Sequence, residues 1–181
     1  MSFENFLFDS LKSTNANQLY QFIVDNNERL SYYFPVTLSS NSSLEKTIEY
    51  IAQKNKEIEE KTNFTFAIRE KKSEKIVGLI IIKKINWNKK QGEFAYCIGS
   101  EYEGKGLTSF AVKEMTKFSF NELGLKTLQV IAHKTNLGSI KVAINNGFVW
   151  QKTLENEFTP TDEAPPNQEL ITFPLSSYIS K

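Results

Sequence analysis

Hydrophobic and polar positions change period several times along this chain, and each change marks an element. A short segment, Asn5 to Asp9, reads as an edge strand. Leu19, Phe22, Ile23 and Leu30 then recur at helical spacing over Asn15 to Leu30, with Thr14 or Asn15 placed to cap the start. Tyr32, Tyr33, Phe34 and Pro35 follow as an aromatic loop, because a proline biases the residue before it toward extended backbone. Ser42, with Glu45 three residues on, has capping-box spacing and opens a second helix whose apolar side is Leu44, Ile48, Ile51 and Ile58. The charges from Glu57 to Lys61 read as a solvated face.

From Asn63 the period drops to two. Phe64, Phe66 and Ile68 alternate with polar or small residues, Lys75 to Ile85 is dense enough in β-branched residues to be buried on both faces, and Gly92 to Gly99 is a third strand. Short turns join these three into an antiparallel meander. Helical spacing returns with Leu107, Ala111, Met115 and Phe118, closed by Gly124. Thr127 to Ala132 is a strand, Leu137 to Asn146 a short helix closed by Gly147, and Phe148 to Leu154 and Glu169 to Pro174 are the last strands. The polar segment between them carries Pro160, Pro165 and Pro166. Strand, helix, strand from Gly92 to Ala132 requires one parallel crossover inside an otherwise antiparallel sheet.

Composition narrows the class without naming it. The 181 residues suit one compact domain over 1–181, with an ordinary 40% hydrophobic and 24% charged content. A formal net charge of +1 leaves no basic footprint for nucleic acid. No apolar run approaches the roughly 20 residues of a membrane helix, and the first residues lack the basic start and apolar block of a secretory signal. The expected compartment is the cytoplasm, with no nucleic-acid and no membrane partner. One cysteine, Cys97, excludes an internal disulfide, and with one histidine, His133, it makes a poor zinc kit. No metal is expected. The chemistry falls to carboxylates, hydroxyls, amides and backbone groups, or to a bound cofactor.

The informative stretch is Glu101-Tyr102-Glu103-Gly104-Lys105-Gly106-Leu107-Thr108, which follows a strand and opens a helix. Two glycines two apart let the backbone turn tightly and approach a ligand closely. Unpaired N–H groups at the helix start and the helix dipole favour an anion there. Lys105 adds charge and Thr108 a hydroxyl. The spacing is not that of a Walker loop, and Ser109 stands where a dinucleotide fingerprint needs its third glycine.

This turn resembles the signature of the GNAT superfamily of N-acetyltransferases, in which Gln or Arg is followed by two residues, Gly, one residue, and Gly or Ala. Glu101 departs from it at the first position. Asn136-Leu137-Gly138-Ser139, then Ala143, then Asn146-Gly147-Phe148 is similar to the family's later motif. With Gly92-Glu93-Phe94-Ala95-Tyr96 and Asn121-Glu122-Leu123-Gly124-Leu125, the match most resembles the RimJ/RimL-type branch. The resemblance implies an α/β (α+β) GNAT fold: a mixed, mostly antiparallel sheet of six to seven strands, helices on both faces, and a β-α-β cofactor crossover. It implies acetyl-CoA as co-substrate and direct transfer to a primary amine without an acyl-enzyme, a protein N-terminal α-amine being favoured.

Carried over, Tyr96, Cys97 and Ile98 supply main-chain groups to the pantetheine arm, lying where the strand splays from its parallel neighbour. Gly104, Lys105, Gly106, Leu107, Thr108 and Ser109 hold the pyrophosphate. Asn136 and Ser139 lie near the pantetheine and the thioester sulfur. Glu93, on one strand face with Ala95, Cys97 and Gly99, is the candidate base. Ser139 is the candidate acid, because Ala143 occupies the position where many members carry a tyrosine. Tyr32, Tyr33 and Phe34 are expected in one wall of the acceptor groove, with the segment from Thr159 to Asn167 over the other side. A cysteine-nucleophile route through Cys97 and His133 is the weaker alternative. So are a catalytically silent CoA-binding sensor, an acetyltransferase of a small-molecule amine or polyamine, and a nucleotide-binding or antibiotic-modifying protein that puts the turn to another phosphate. The end of the final strands is a candidate edge for homodimer pairing.

Overall fold

The computed structural model describes residues 3–155 and, as backbone, the strand Asn167–Pro174. Its strands are β1 Phe6–Ser10, β2 Phe64–Glu70, β3 Ile76–Asn86, β4 Gln91–Ile98, β5 Thr127–His133, β6 Val149–Glu155 and β7 Asn167–Pro174. Its helices are α1 Ala16–Asp25, α2 Asn27–Tyr33, α3 Pro35–Ser39, α4 Leu44–Glu59, α5 Leu107–Asn121 and α6 Leu137–Asn145. The strands pair in the order β1-β2-β3-β4-β5-β7-β6, a seven-stranded mixed sheet of the kind the resemblance implies. β1 is indeed an edge strand. The crossover β4-α5-β5 is parallel, with Gln91 to Phe94 paired to Thr127 to Val130; β5 also runs antiparallel to β7.

The chain packs as two compact units. The first comprises Met1–Ile81 and Tyr96–Leu107. Its core joins Leu19, Phe22 and Ile23 of α1, Leu30 of α2, Tyr50 and Ile51 of α4, and Ala67, Ile76 and Leu79 of the strands. Ile76 through Ile82 are all buried, as a strand covered on both faces requires. Gly78 is needed here: a Cβ would come within 2.5 Å of the Cys97 carbonyl oxygen and 2.8 Å of Ile98 Cδ1. The second unit comprises Ile82–Ala95 and Thr108–Lys181. Leu128 and Val130 of β5 and Ala143 of α6 are buried in it, and Phe94 meets Phe148 at a ring separation of 6.3 Å.

Four sequence expectations change. The single helix over Asn15 to Leu30 is two, broken at Asn26, whose side chain donates to the Phe22 carbonyl at 2.8 Å in place of continuing the helix. The aromatic loop is helical on both sides of Phe34: Tyr32 and Tyr33 end α2, and Pro35 is the first residue of α3. Proline at that position gives up an N–H that has no helical partner anyway. The cap of α4 is Ser43, which accepts from the Lys46 N–H at 3.3 Å; Ser42 takes the Lys46 ammonium instead, so the Ser42–Glu45 capping box does not form. Finally, α4 buries Thr47, Tyr50 and Ile51, while Ile48 lies on its exposed side. The span Thr159 to Asn167 falls outside the described residues, save the backbone of Asn167.

Candidate functional site

β4 ends in a sequence of tight turns fixed by neighbours in the same unit. The Gly99 N–H donates to the Val77 carbonyl at 2.7 Å, so the peptide groups of Gly99 and Cys97 face β3. Alternation directs those of Tyr96 and Ile98 to the opposite edge, where Arg29 Nη1 donates to the Ile98 carbonyl at 3.1 Å. Of the three residues assigned to the cofactor arm, Tyr96 and Ile98 therefore present backbone on that edge and Cys97 does not. A 3-10 turn over Ser100–Tyr102 follows. Its first N–H, on Ser100, is held by the buried Asn26 Oδ1 at 3.1 Å.

Gly104 and Gly106 then take φ of +67° and +80°, the left-handed region that side chains resist, and α5 starts at Leu107. A Cβ on Gly104 would meet nothing within 4 Å, so the space above this peptide is open. One on Gly106 would touch Phe3 at 3.4 Å. The side chains around the turn bind one another. Glu101 pairs with Lys75 at 2.6 Å, which raises the lysine above its ordinary value, and Glu103 pairs with Arg29. Lys105 donates to the Glu101 carbonyl at 2.5 Å and lies 5.9 Å over the Tyr102 ring. Leu107 is buried, so it anchors the helix start and offers backbone alone. Glu101, Glu103 and Lys105 stay exposed in these pairings, and the open space lies over the Gly104 peptide, which suits close approach of a diphosphate.

Ser109, in the first turn of α5, accepts at Oγ from Asn146 Nδ2 at 2.9 Å, and the same Nδ2 donates to the Val142 carbonyl at 2.8 Å. Asn146 so ties the end of α6 to the start of α5. Asn136 caps α6, its Oδ1 accepting from the Ser139 N–H at 3.0 Å. The Ser139 side chain is half-buried. Tyr32 and Tyr33 pack edge to face at 4.6 Å, with Tyr32 on the surface.

Glu93 is 3% exposed and heavily engaged. Lys83 Nζ lies 3.0 Å from Oε1, Lys84 Nζ 3.1 Å from Oε2, and Gln129 Nε2 3.5 Å from Oε2. Gln91 in turn donates to Gln129 at 2.7 Å. Cys97 does not fit a nucleophile's role: burial pushes its thiol up to about 12, against a smaller opposing pull from a backbone hydrogen bond and Arg29. His133 Nδ1 is bound by Thr135. Among the described residues no group of three His, Cys, Asp or Glu side chains could hold a metal, and no helix is long and apolar enough to cross a membrane.

Sequence reasoning missed Asn26, Arg29, Lys83 and Lys84. The first two bind β4 and its turn from about 70 residues away, which local spacing does not encode. The lysines carry one local sign, two adjacent charges directly after a buried run.

Comparison with known proteins agrees with this geometry. A family model described as an acetyltransferase (GNAT) domain matches residues 5–149. Spermidine N(1)-acetyltransferase of Escherichia coli (strain K12) is 35% identical over 81 residues, 45% of this chain and 44% of that protein, so the match spans less than half of that relative. The Vibrio cholerae spermidine N(1)-acetyltransferase is 27% identical over 135 residues, 74% of each chain. Among solved structures, the ribosomal-protein-S5-alanine acetyltransferase from Vibrio fischeri has a TM-score of 0.89 at 21% identity, covering 99% of this chain and 98% of that one, a likeness of fold. The parallel crossover, the left-handed glycine turn at the start of α5 and the family match over most of the chain lead to one assignment: this chain belongs to the GNAT acetyltransferase family.

Proposed function

We propose that this chain is an acetyl-CoA-dependent N-acetyltransferase, a single domain that moves an acetyl group directly onto a primary amine. The observation that carries the reading is the turn from Gly99 to Gly106, with two left-handed glycines, open space above Gly104 and a helix N-terminus directly after. Peptide N–H groups from Gly104 to Ser109 hold the diphosphate, with Thr108 adding a hydroxyl. The outward peptide groups of Tyr96 and Ile98 hold the arm, and Asn136 and Ser139 serve the pantetheine and the thioester sulfur. Bound acetyl-CoA supplies the activated acetyl thioester.

The residues of the chain do the rest. Glu93 takes the proton of the acceptor ammonium, directly or through water. Ser139 gives a proton to the departing sulfur. Peptide N–H groups stabilise the charge that builds on the carbonyl oxygen. Tyr32, Tyr33 and Phe34 form a wall for the acceptor. Cys97, protonated at neutral pH, takes no covalent part.

For the acceptor, a protein N-terminal α-amine is the first reading, in keeping with the RimL-like motifs. A second, an alkyl amine such as a polyamine, is favoured by the names of the two spermidine N(1)-acetyltransferases to which the chain is similar and by Glu93, whose carboxylate already holds two alkylammonium groups. A turnover screen with acetyl-CoA against N-terminal peptides, lysine peptides and polyamines, with products identified by mass, tests both. Transfer to any primary amine supports the enzyme reading, and preference among them assigns the acceptor. Retained CoA binding with no product on any amine would leave the silent-sensor alternative instead.

A further inference from the structure

Two lysines meet one buried carboxylate by an unusual backbone route. Along β3, alternation sends Lys83 toward the face of Glu93 and should send Lys84 to the other. Lys84 instead has φ +50°, a left-handed conformation uncommon for lysine inside a strand. The local break in alternation at Lys84 coincides with both ammonium groups lying on Glu93, one on each oxygen, at 3.0 and 3.1 Å. The carboxylate is buried, whereas the lysine side chains are 39% and 64% exposed. A primary alkyl amine is thus delivered from the surface to the group proposed to deprotonate the acceptor.

We propose that Lys83 is a self-acetylation site: its own amine serves as an acceptor at Glu93. The inference rests on the reading of Glu93 as the base beside the thioester. Lys83, not Lys84, is assigned because its side chain is the less exposed of the two and approaches Glu93 from regular strand geometry. The chemistry balances. The Lys83 ammonium gives one proton to the Glu93 carboxylate. Its nitrogen attacks the thioester carbonyl, forming a C–N bond. Collapse breaks the C–S bond, and the departing thiolate takes the second proton as the amide forms; Glu93 returns the first to solvent. The product has lost a positive charge, so Glu93 keeps Lys84 alone, and the place an external ammonium must enter is changed.

The test uses the full chain, purified unacetylated, incubated with acetyl-CoA without other amines and followed by intact mass and peptide mapping. We expect a gain of about 42 Da on Lys83, first order and independent of protein concentration, faster than on any other lysine of the sample. Lys83→Arg abolishes that gain with Lys84 unmodified, and Glu93→Gln slows it by about 100-fold, the scale of a lost general base. A heat-unfolded sample shows no preference for Lys83. Acetylation of Lys83 at the rate of other exposed lysines, while external amines are turned over, overturns this inference and leaves the proposed function standing. Absence of both self-modification and turnover, with no thermal shift by CoA, overturns the two together.

Discussion

Gly104 and Gly124 provide a matched pair for asking what the glycine turn is for. Their φ values are +67° and +65°, and a Cβ on either would meet nothing within 4 Å. Alanine therefore costs the free protein the same at both sites, the penalty of a left-handed conformation for an L side chain, about 1 to 2 kcal/mol. For a chain of this size that is a loss of roughly 2 to 8 °C in Tm. The two sites differ in where the new methyl goes. At Gly104 it fills the space above the turn that leads into α5; at Gly124 it lies past the helix's other end. Losing one or two charge-assisted N–H contacts to a phosphate, at about 1.5 to 3 kcal/mol each, lowers affinity by at least tenfold. Gly104→Ala should thus bind CoA at least tenfold more weakly by titration calorimetry, and Gly124→Ala as the wild type does, with similar Tm values for the two. Equal CoA affinity in both variants would refute the cradle, and a far larger Tm loss at Gly104 would refute the steric argument.

Three further outcomes are expected. Asn26→Ala removes the partner of the Ser100 N–H and of the Phe22 carbonyl, so stability should fall by about 2 to 3 kcal/mol in denaturant titrations and CoA should bind more weakly; wild-type stability would show that the turn is held otherwise. Glu93→Gln should lower turnover by about 100-fold or more with CoA affinity little changed, and equal turnover from about pH 6 to pH 9 would remove its role, since free amines become available within that range. Cys97→Ala should keep activity, and the wild type incubated with acetyl-CoA should give no acetyl-cysteine by mass spectrometry. Because the folded chain holds the thiol's proton more tightly, the stability linked to Cys97 is present below the ordinary thiol value of about 8.5 and lost as pH rises toward 12. Between about pH 8 and pH 10 the wild type should therefore lose about 1 to 2 kcal/mol more than Cys97→Ala; parallel losses would contradict the burial argument.

The strands and the crossover were legible because their signals are local. Ile76 to Ile82 is an apolar run of strand length, and Gly104, Gly106, Gly124 and Gly147 all adopt the positive φ that makes glycine informative. The two short helices that meet at Phe34 were not, because Pro35 carries two opposite messages, stopping a helix before it and starting one after it. Periodicity favoured Ile48 over Tyr50 on α4, since it scores an amphipathic tyrosine below an isoleucine. The glycine turn was readable as a motif, but its supports were not: Asn26 and Arg29 act on it across the sequence. The convergence on Glu93 coincides with one backbone angle at Lys84, which residue types alone do not specify.

The central claim is tested most directly by a crystal structure of the chain with CoA. The account predicts the diphosphate against the peptide N–H groups from Gly104 to Ser109 and the pantetheine arm along the outward groups of Tyr96 and Ile98. CoA bound elsewhere, or a fully soaked crystal without it, would contradict the assignment of the turn.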